Sequence, residues 1–216
     1  MINLKVNRII KFLLLSDLVF WSGWGLVSPI LAIFIVDKIQ DGSVFVVGAS
    51  TSIYWIISSV LRIPFGVYLD SRGNEKLDYF FTICGLFFAA VVSFGFIIAE
   101  FAWHRYVLQA LHAVAMSMNF SGWSALFTNH IDKGREATEW GIDATSVGIG
   151  TGVSSLVGGW AVERYGFDPV FIFVGILGIL GSMLLLFIKN DLEKTSGHGL
   201  YFSFKELIQK GVESNK

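Results

Sequence analysis

The chain is poor in charge. Only 15% of its 216 residues are Asp, Glu, Lys or Arg, against the quarter or so that coats a soluble domain. That shortage excludes an ordinary water-soluble globule. Cysteine is nearly absent: the lone Cys84 cannot close an internal disulfide, and no Cys/His cluster has metal-ligand spacing. His104, His112, His130 and His198 make no His-rich site, so neither a metal nor a cofactor is expected. The net charge of −1 is silent about nucleic acid, and no nucleic-acid partner is expected.

What the chain does have is apolar length. Hydrophobic residues make up 54% and mean hydropathy is +0.64. Between clusters of charge lie six apolar runs, Ile10–Val36, Val44–Leu69, Tyr79–Ala99, Tyr106–Phe127, Trp140–Val162 and Pro169–Ile188. Each has about the twenty residues that a helix needs to cross a bilayer core. The expectation is an all-α membrane protein of six transmembrane helices with the lipid bilayer as its first partner. The first run is no cleavable signal: it is too long, carries Asp17 and Pro29, and lacks a small-x-small exit. Threading six spans puts thirteen Lys and Arg residues on one side and only Lys38, Arg105 and Arg164 on the other. That bias predicts cytoplasmic N and C termini in a plasma or inner membrane. Trp103, Trp140, Trp160 and Tyr165 fall near span ends, as interfacial aromatics do. Residues 191–216 read as a cytoplasmic tail, with a short amphipathic helix over Ser203 to Lys210 and a frayed end from Val212 to Lys216.

A short pattern occurs twice. Gly66-Val-Tyr-Leu-Asp70-Ser-Arg72-Gly73 ends the second run, and Gly159-Trp-Ala-Val-Glu163-Arg-Tyr-Gly166 ends the fifth, 93 residues later. Both read Gly, three residues, a carboxylate, two residues, Gly. Matching blocks at equivalent span ends predict two three-span repeats. Asp70 has two readings: a carboxylate that caps a helix or binds an arginine to lock a gate, or part of a simple turn.

Ionisable groups inside a membrane are expensive and point to function. Asp17 shares a helix face with Trp21, Trp24 and Ser28. It either faces an aqueous cavity or pairs with Arg62 or Arg8 near the cytoplasmic rim. In the fourth run, Arg105, Gln109, His112, Met116, Asn119 and Trp123 recur at steps of three and four, one face of a helix. Polar groups there must look into protein or water, and a substrate cavity is the favoured reading. His112 is a candidate proton relay or a hydrogen-bonding partner of neighbouring helices. In the fifth run, Gly148-x-x-x-Gly152 and Gly158-Gly159 suit close helix contact, moving or static. Asp143 near its start is expected to pair with Arg135, Lys133 or Arg72.

These residues resemble the major facilitator superfamily. Gly66, Asp70 and Gly73 match its loop between spans two and three, usually Gly-x-Leu-Ala-Asp-Arg-x-Gly-Arg-Lys. Ser71 stands at the first Arg position with Arg72 one place later, and Asn74-Glu75 replace the basic pair. Gly148 to Gly159 is similar to the family's glycine-rich antiporter motif without its proline, Ser154 standing near that place. Arg105 and Gln109 resemble the fourth-span Arg–Gln pattern, spaced one residue wider and with Ala110 for Gly. The resemblance covers residues 8 to 190. It implies a half-bundle of three-plus-three inverted repeats, with spans one and four lining a central cavity.

Family members usually have twelve spans, so this chain is expected to be either one half of a longer protein or a half-size protein needing a second copy or partner half. The expected function is secondary transport of a small solute by alternating access; the alternative is a non-transporting scaffold or assembly protein. No enzyme is expected. Six spans fit a rhomboid-like protease, but Asn119 replaces the Gly two places before Ser121, and the sixth span has no His.

Overall fold

The computed structural model describes residues 6–195. The sequence expectations over Ser203 to Lys210 and Val212 to Lys216 lie outside them. Every regular element among the described residues is helical. Helix α1 (Arg8–Val27) continues through a 3-10 turn, Ser28–Ile30, into α2 (Leu31–Lys38). The turn sits at Pro29, whose ring cannot continue the α-helical hydrogen-bond ladder. Then follow α3 (Val44–Arg72), α4 (Glu75–Gly95), α5 (Ala102–His130), α6 (Glu136–Tyr165), α7 (Phe167–Leu184) and the short α8 (Lys189–Thr195).

Local chemistry starts and stops these helices. The Asn7 side chain accepts from Ile10 N–H at 2.9 Å and its amide donates to the His130 carbonyl, tying α1 to the end of α5. Ser43 accepts from Val46 N–H at 3.3 Å to open α3. His104 Nδ1 accepts from the N–H groups of Glu100 and Phe101, both at 3.2 Å, where α5 begins. The repeated pattern has a conformational reason at its last glycine. Gly73 ends α3 at φ +53° and Gly166 ends α6 at φ +83°, a region glycine enters without steric cost.

Four stretches, Arg8–Lys38, Val44–Arg72, Glu75–Ile98 and Phe167–Leu192, are long and apolar enough to cross a membrane. Helices α5 and α6, of 29 and 30 residues, are long enough but less apolar, because α5 carries buried polar residues and α6 is rich in Gly, Ser and Thr. The outer surface of the bundle is apolar: Ile56, Ile63 and Val67 on α3 and Val153, Leu156 and Trp160 on α6 are all more than half exposed. Large exposed apolar area of this kind suits lipid or partner contact rather than water. The fold is a helical bundle consistent with a membrane protein.

The packing order is regular. α5 lies against α3 and α4, α1 lies against α6 and α7, and α4 packs on α7. Small residues permit the close approaches. A Cβ at Gly85 would fall on the α5 backbone at Ala115 and Asn119, and one at Gly122 would fall on α4 at Asp78. Hydroxyls stitch the same seams: Ser117 Oγ donates to the Ser58 carbonyl at 3.3 Å, and Ser155 Oγ to the Gly25 carbonyl at 3.0 Å.

Candidate functional site

The polar stripe of α5 turns inward along its whole length. Arg105, Gln109, His112, Met116, Asn119 and Trp123 are all buried. Each meets a different part of the surrounding helices. The Arg105 guanidinium lies over the Phe96 ring, 4.2 Å from its centroid. The His112 ring sits between Trp24 of α1, at 4.4 Å, and Tyr54 of α3, at 5.4 Å and nearly parallel. Asn119 Nδ2 donates to the Thr82 carbonyl of α4 at 3.1 Å. Trp123 stacks on Phe127 at 4.6 Å. The stripe is therefore the seam where α1, α3 and α4 meet α5, and its side chains are packed within this chain.

Several of these polar atoms have no hydrogen-bond partner among the described residues: all three guanidinium nitrogens of Arg105, Gln109 Oε1, His112 Nε2 and Trp24 Nε1. Buried polar groups are rarely left so, and here four such residues share one seam.

On α1 the expected stripe divides. Trp24 is buried against α5, whereas Ser28 is exposed at the kink. Asp17 is half-buried, with the Trp21 indole and the Asp143 carboxylate of α6 in its surroundings. Neither expected partner reaches it: Arg8 pairs with Asp191 at 3.4 Å, and Arg62 lies over Phe120 at 4.2 Å. Arg135, an expected partner of Asp143, pairs with Asp132 at 3.9 Å.

The loop residues Asp70 and Arg72 are exposed at the end of α3, Arg72 lying over the Tyr68 ring at 5.4 Å. Gly66 has open space beside it. The glycines of α6 separate onto two faces. Gly148, Gly152 and Gly159 have no atom within 4 Å of a Cβ position, whereas Gly158 lies directly on the Leu26 backbone. Sequence reading missed the stripe that packs inside the chain: Gly150, Ser154 and Gly158, at steps of four, meet Leu18, Ser22, Gly25 and Leu26 of α1. The signal was present, a second small-xxx-small series two residues out of phase with Gly148 and Gly152. Near it lies a largely apolar cleft of about 400 Å³, lined among others by Ser22, Leu26, Gly150 and Leu177.

An apolar-surfaced helical bundle with polar groups turned to one interior seam defines a multi-pass membrane protein. The sequence profile of the Major Facilitator Superfamily matches residues 13–206, and the chain belongs to that family. It is also 24% identical to a protein described as an uncharacterized MFS-type transporter from Methanocaldococcus jannaschii, over 98% of this chain and 55% of the relative. The chain thus spans about half the length of the curated relative it matches. Family and relative alike are of transporter type.

Proposed function

We propose that the chain is a six-span transporter unit that moves a small solute by alternating access, together with a second six-span unit supplied by another copy or a partner half. The observation that carries this reading is the family match over residues 13–206. Several features support the finer parts. α5 and α6 are counted as spans because their polar residues are turned inward or are small, so length rather than mean hydropathy decides. Exchanging α1 with α5, α3 with α6 and α4 with α7 maps the packing order onto itself, as an inverted three-plus-three repeat requires. Residues 1–190 form this unit and 191–216 a tail. The Lys and Arg bias supports cytoplasmic ends in a plasma or inner membrane.

The second unit would meet α3 and α6. Both expose apolar faces, and Gly66, Gly148 and Gly152 lie open there. Asp70 at the tip of α3 is then placed to gate against the partner. In a two-copy transporter, single cysteines at Val60 and Val153 in a Cys84→Ser background should crosslink between copies. Solute flux into vesicles should accompany the dimer and fall with Asp17→Asn. A protein that stays monomeric, forms no crosslink and carries no solute would instead favour the scaffold reading, which the 55% coverage of the relative also permits.

A further inference from the structure

Three of the groups that carry unpartnered polar atoms on the α5 seam lie together. Arg105 is 0% exposed, and its guanidinium touches the face of Phe96. Trp24 meets the same Phe96 ring edge-on at 6.3 Å and the His112 ring at 4.4 Å. The rings therefore connect the three unpartnered donor groups, the guanidinium, the indole N–H and the His112 ring, into one buried cluster. Among the described residues no carboxylate forms an ion pair with Arg105.

A buried cation without a counter-charge is one of the costliest arrangements in a protein interior. The phenyl face of Phe96 offsets only part of that cost. A neutral alcohol or amide would satisfy N–H groups yet leave the charge uncompensated, and a cation would be repelled. An anionic oxygen group supplies both the acceptors and the missing counter-charge, since guanidinium forks match carboxylate and phosphate. The surrounding Phe96, Tyr54 and Trp24 rings suit an apolar body attached to it.

We propose that Arg105, Trp24 and His112 form a binding site for an anionic group, a carboxylate or a phosphate, held within this single six-helix unit. All the named residues come from α1, α3, α5 and the end of α4, so no second unit is required for binding. The inference deepens the carrier reading and rests on it for the role of the anion, but not for the binding itself.

The test is equilibrium binding to the full chain in phosphatidylcholine nanodiscs at low salt, read as Tm and tryptophan fluorescence. Benzoate is the probe, benzamide its neutral isostere, and inorganic phosphate the second anion. Benzoate or phosphate should raise Tm by several degrees while benzamide does not. Arg105→Gln should weaken that binding at least tenfold while its ligand-free Tm stays at or above the wild-type value, because an uncompensated charge has been removed. Trp24→Phe, which keeps the ring but loses the N–H, should weaken benzoate several-fold. Replacing part of the lipid with phosphatidylglycerol distinguishes the sources. An Arg105-dependent rise with this lipid, not added to by benzoate, assigns the anion to a lipid headgroup; a rise with benzoate in phosphatidylcholine alone assigns it to a free solute. A response equal for benzoate and benzamide, no Arg105-dependent response to any anion, or an Arg105→Gln chain that fails to fold overturns the proposal. No flux enters this measurement, so a protein that binds but does not transport leaves the site standing and removes only the carrier reading.

Discussion

Helices α5 and α6 are nearly equal in length, and both fall short of the apolarity of the other spans, for opposite reasons. α5 is polar because it is an inside helix. Its thirteen buried residues include Arg105, Gln109, His112 and Asn119, each against a neighbour. α6 is weakly apolar because it is rich in Gly, Ser and Thr, and only Glu139, Ser154 and Gly158 are buried. One helix buries all its special residues within the chain; the other buries one stripe and leaves a second uncovered. Mean hydropathy reports neither arrangement. What separates them is the phase of the small and polar residues around the helix.

The sharpest way to break this comparison is to fill both stripes of α6 with the same residue. Gly158→Leu places a side chain into the Leu26 backbone, and should leave little folded chain or lower Tm by more than any other change described below. Gly152→Leu meets no atom within 4 Å. It should leave the stability of the single chain within about 0.5 kcal/mol, while abolishing crosslinking between copies if that face is the dimer contact. Equal losses of Tm in the two variants would show that the outward stripe is not outward.

Truncating large side chains gives the next effect. Phe127 on α5 is 0% exposed, whereas Leu156 on α6 is 80% exposed. Phe127→Ala should destabilise by about 3 kcal/mol or more through the cavity it leaves, measured by denaturant or SDS unfolding. Leu156→Ala should change the single chain little. A smaller effect is expected at Asn119→Ala. Its hydrogen bond to the Thr82 carbonyl joins α5 to α4, and such interhelical bonds average about 0.6 kcal/mol in membrane proteins. A loss several times greater would mean that Asn119 organises more of the seam than this one bond.

The order of helices and the inward face of α5 were legible in the sequence because they rest on periodicity. Six polar or large residues at steps of three and four define a face whatever surrounds it. The ends at Gly73 and Gly166 were legible because they rest on backbone chemistry, whereas the turn at Pro29 lies inside a run read as one unbroken span. Partner choice was not. Asp17 lay within reach of basic residues by spacing, yet Arg8 is taken by Asp191 and Arg62 lies over Phe120. The two glycine series of α6 are equally good motifs, and only the position of α1 decides which one is packed. Helix ends were also under-read: α5 begins at Ala102 and α6 at Glu136, four residues before the apolar runs, because polar first turns are helical without being apolar.

The smallest predicted effect lies at that polar first turn of α6, outside the apolar run. Glu139 is fully buried there and accepts from Asp132 N–H at 3.4 Å, while its other oxygen has no partner among the described residues. Burial holds its carboxyl above the ordinary value of 4.5, and the nearby Asp132 charge adds to this against the opposing N–H bond and Arg135. A glutamate raised in the folded state binds its proton more tightly there than in the unfolded chain. Stability therefore falls as pH rises from the unfolded value through the folded one, and the loss persists above it. Glu136, about one turn earlier, behaves oppositely: the Gly134 N–H at 3.0 Å holds its carboxyl below the ordinary value, so its small contribution is lost only as pH drops. Glu139→Gln should flatten the decline in Tm between pH 4.5 and neutrality, and raise Tm slightly at neutral pH. Glu136→Gln should leave that decline in place. If Glu139→Gln instead steepens the decline or lowers Tm at neutral pH, the ionised carboxylate is an anchor for the Asp132 to Arg135 turn, and the start of α6 is held by charge rather than by burial.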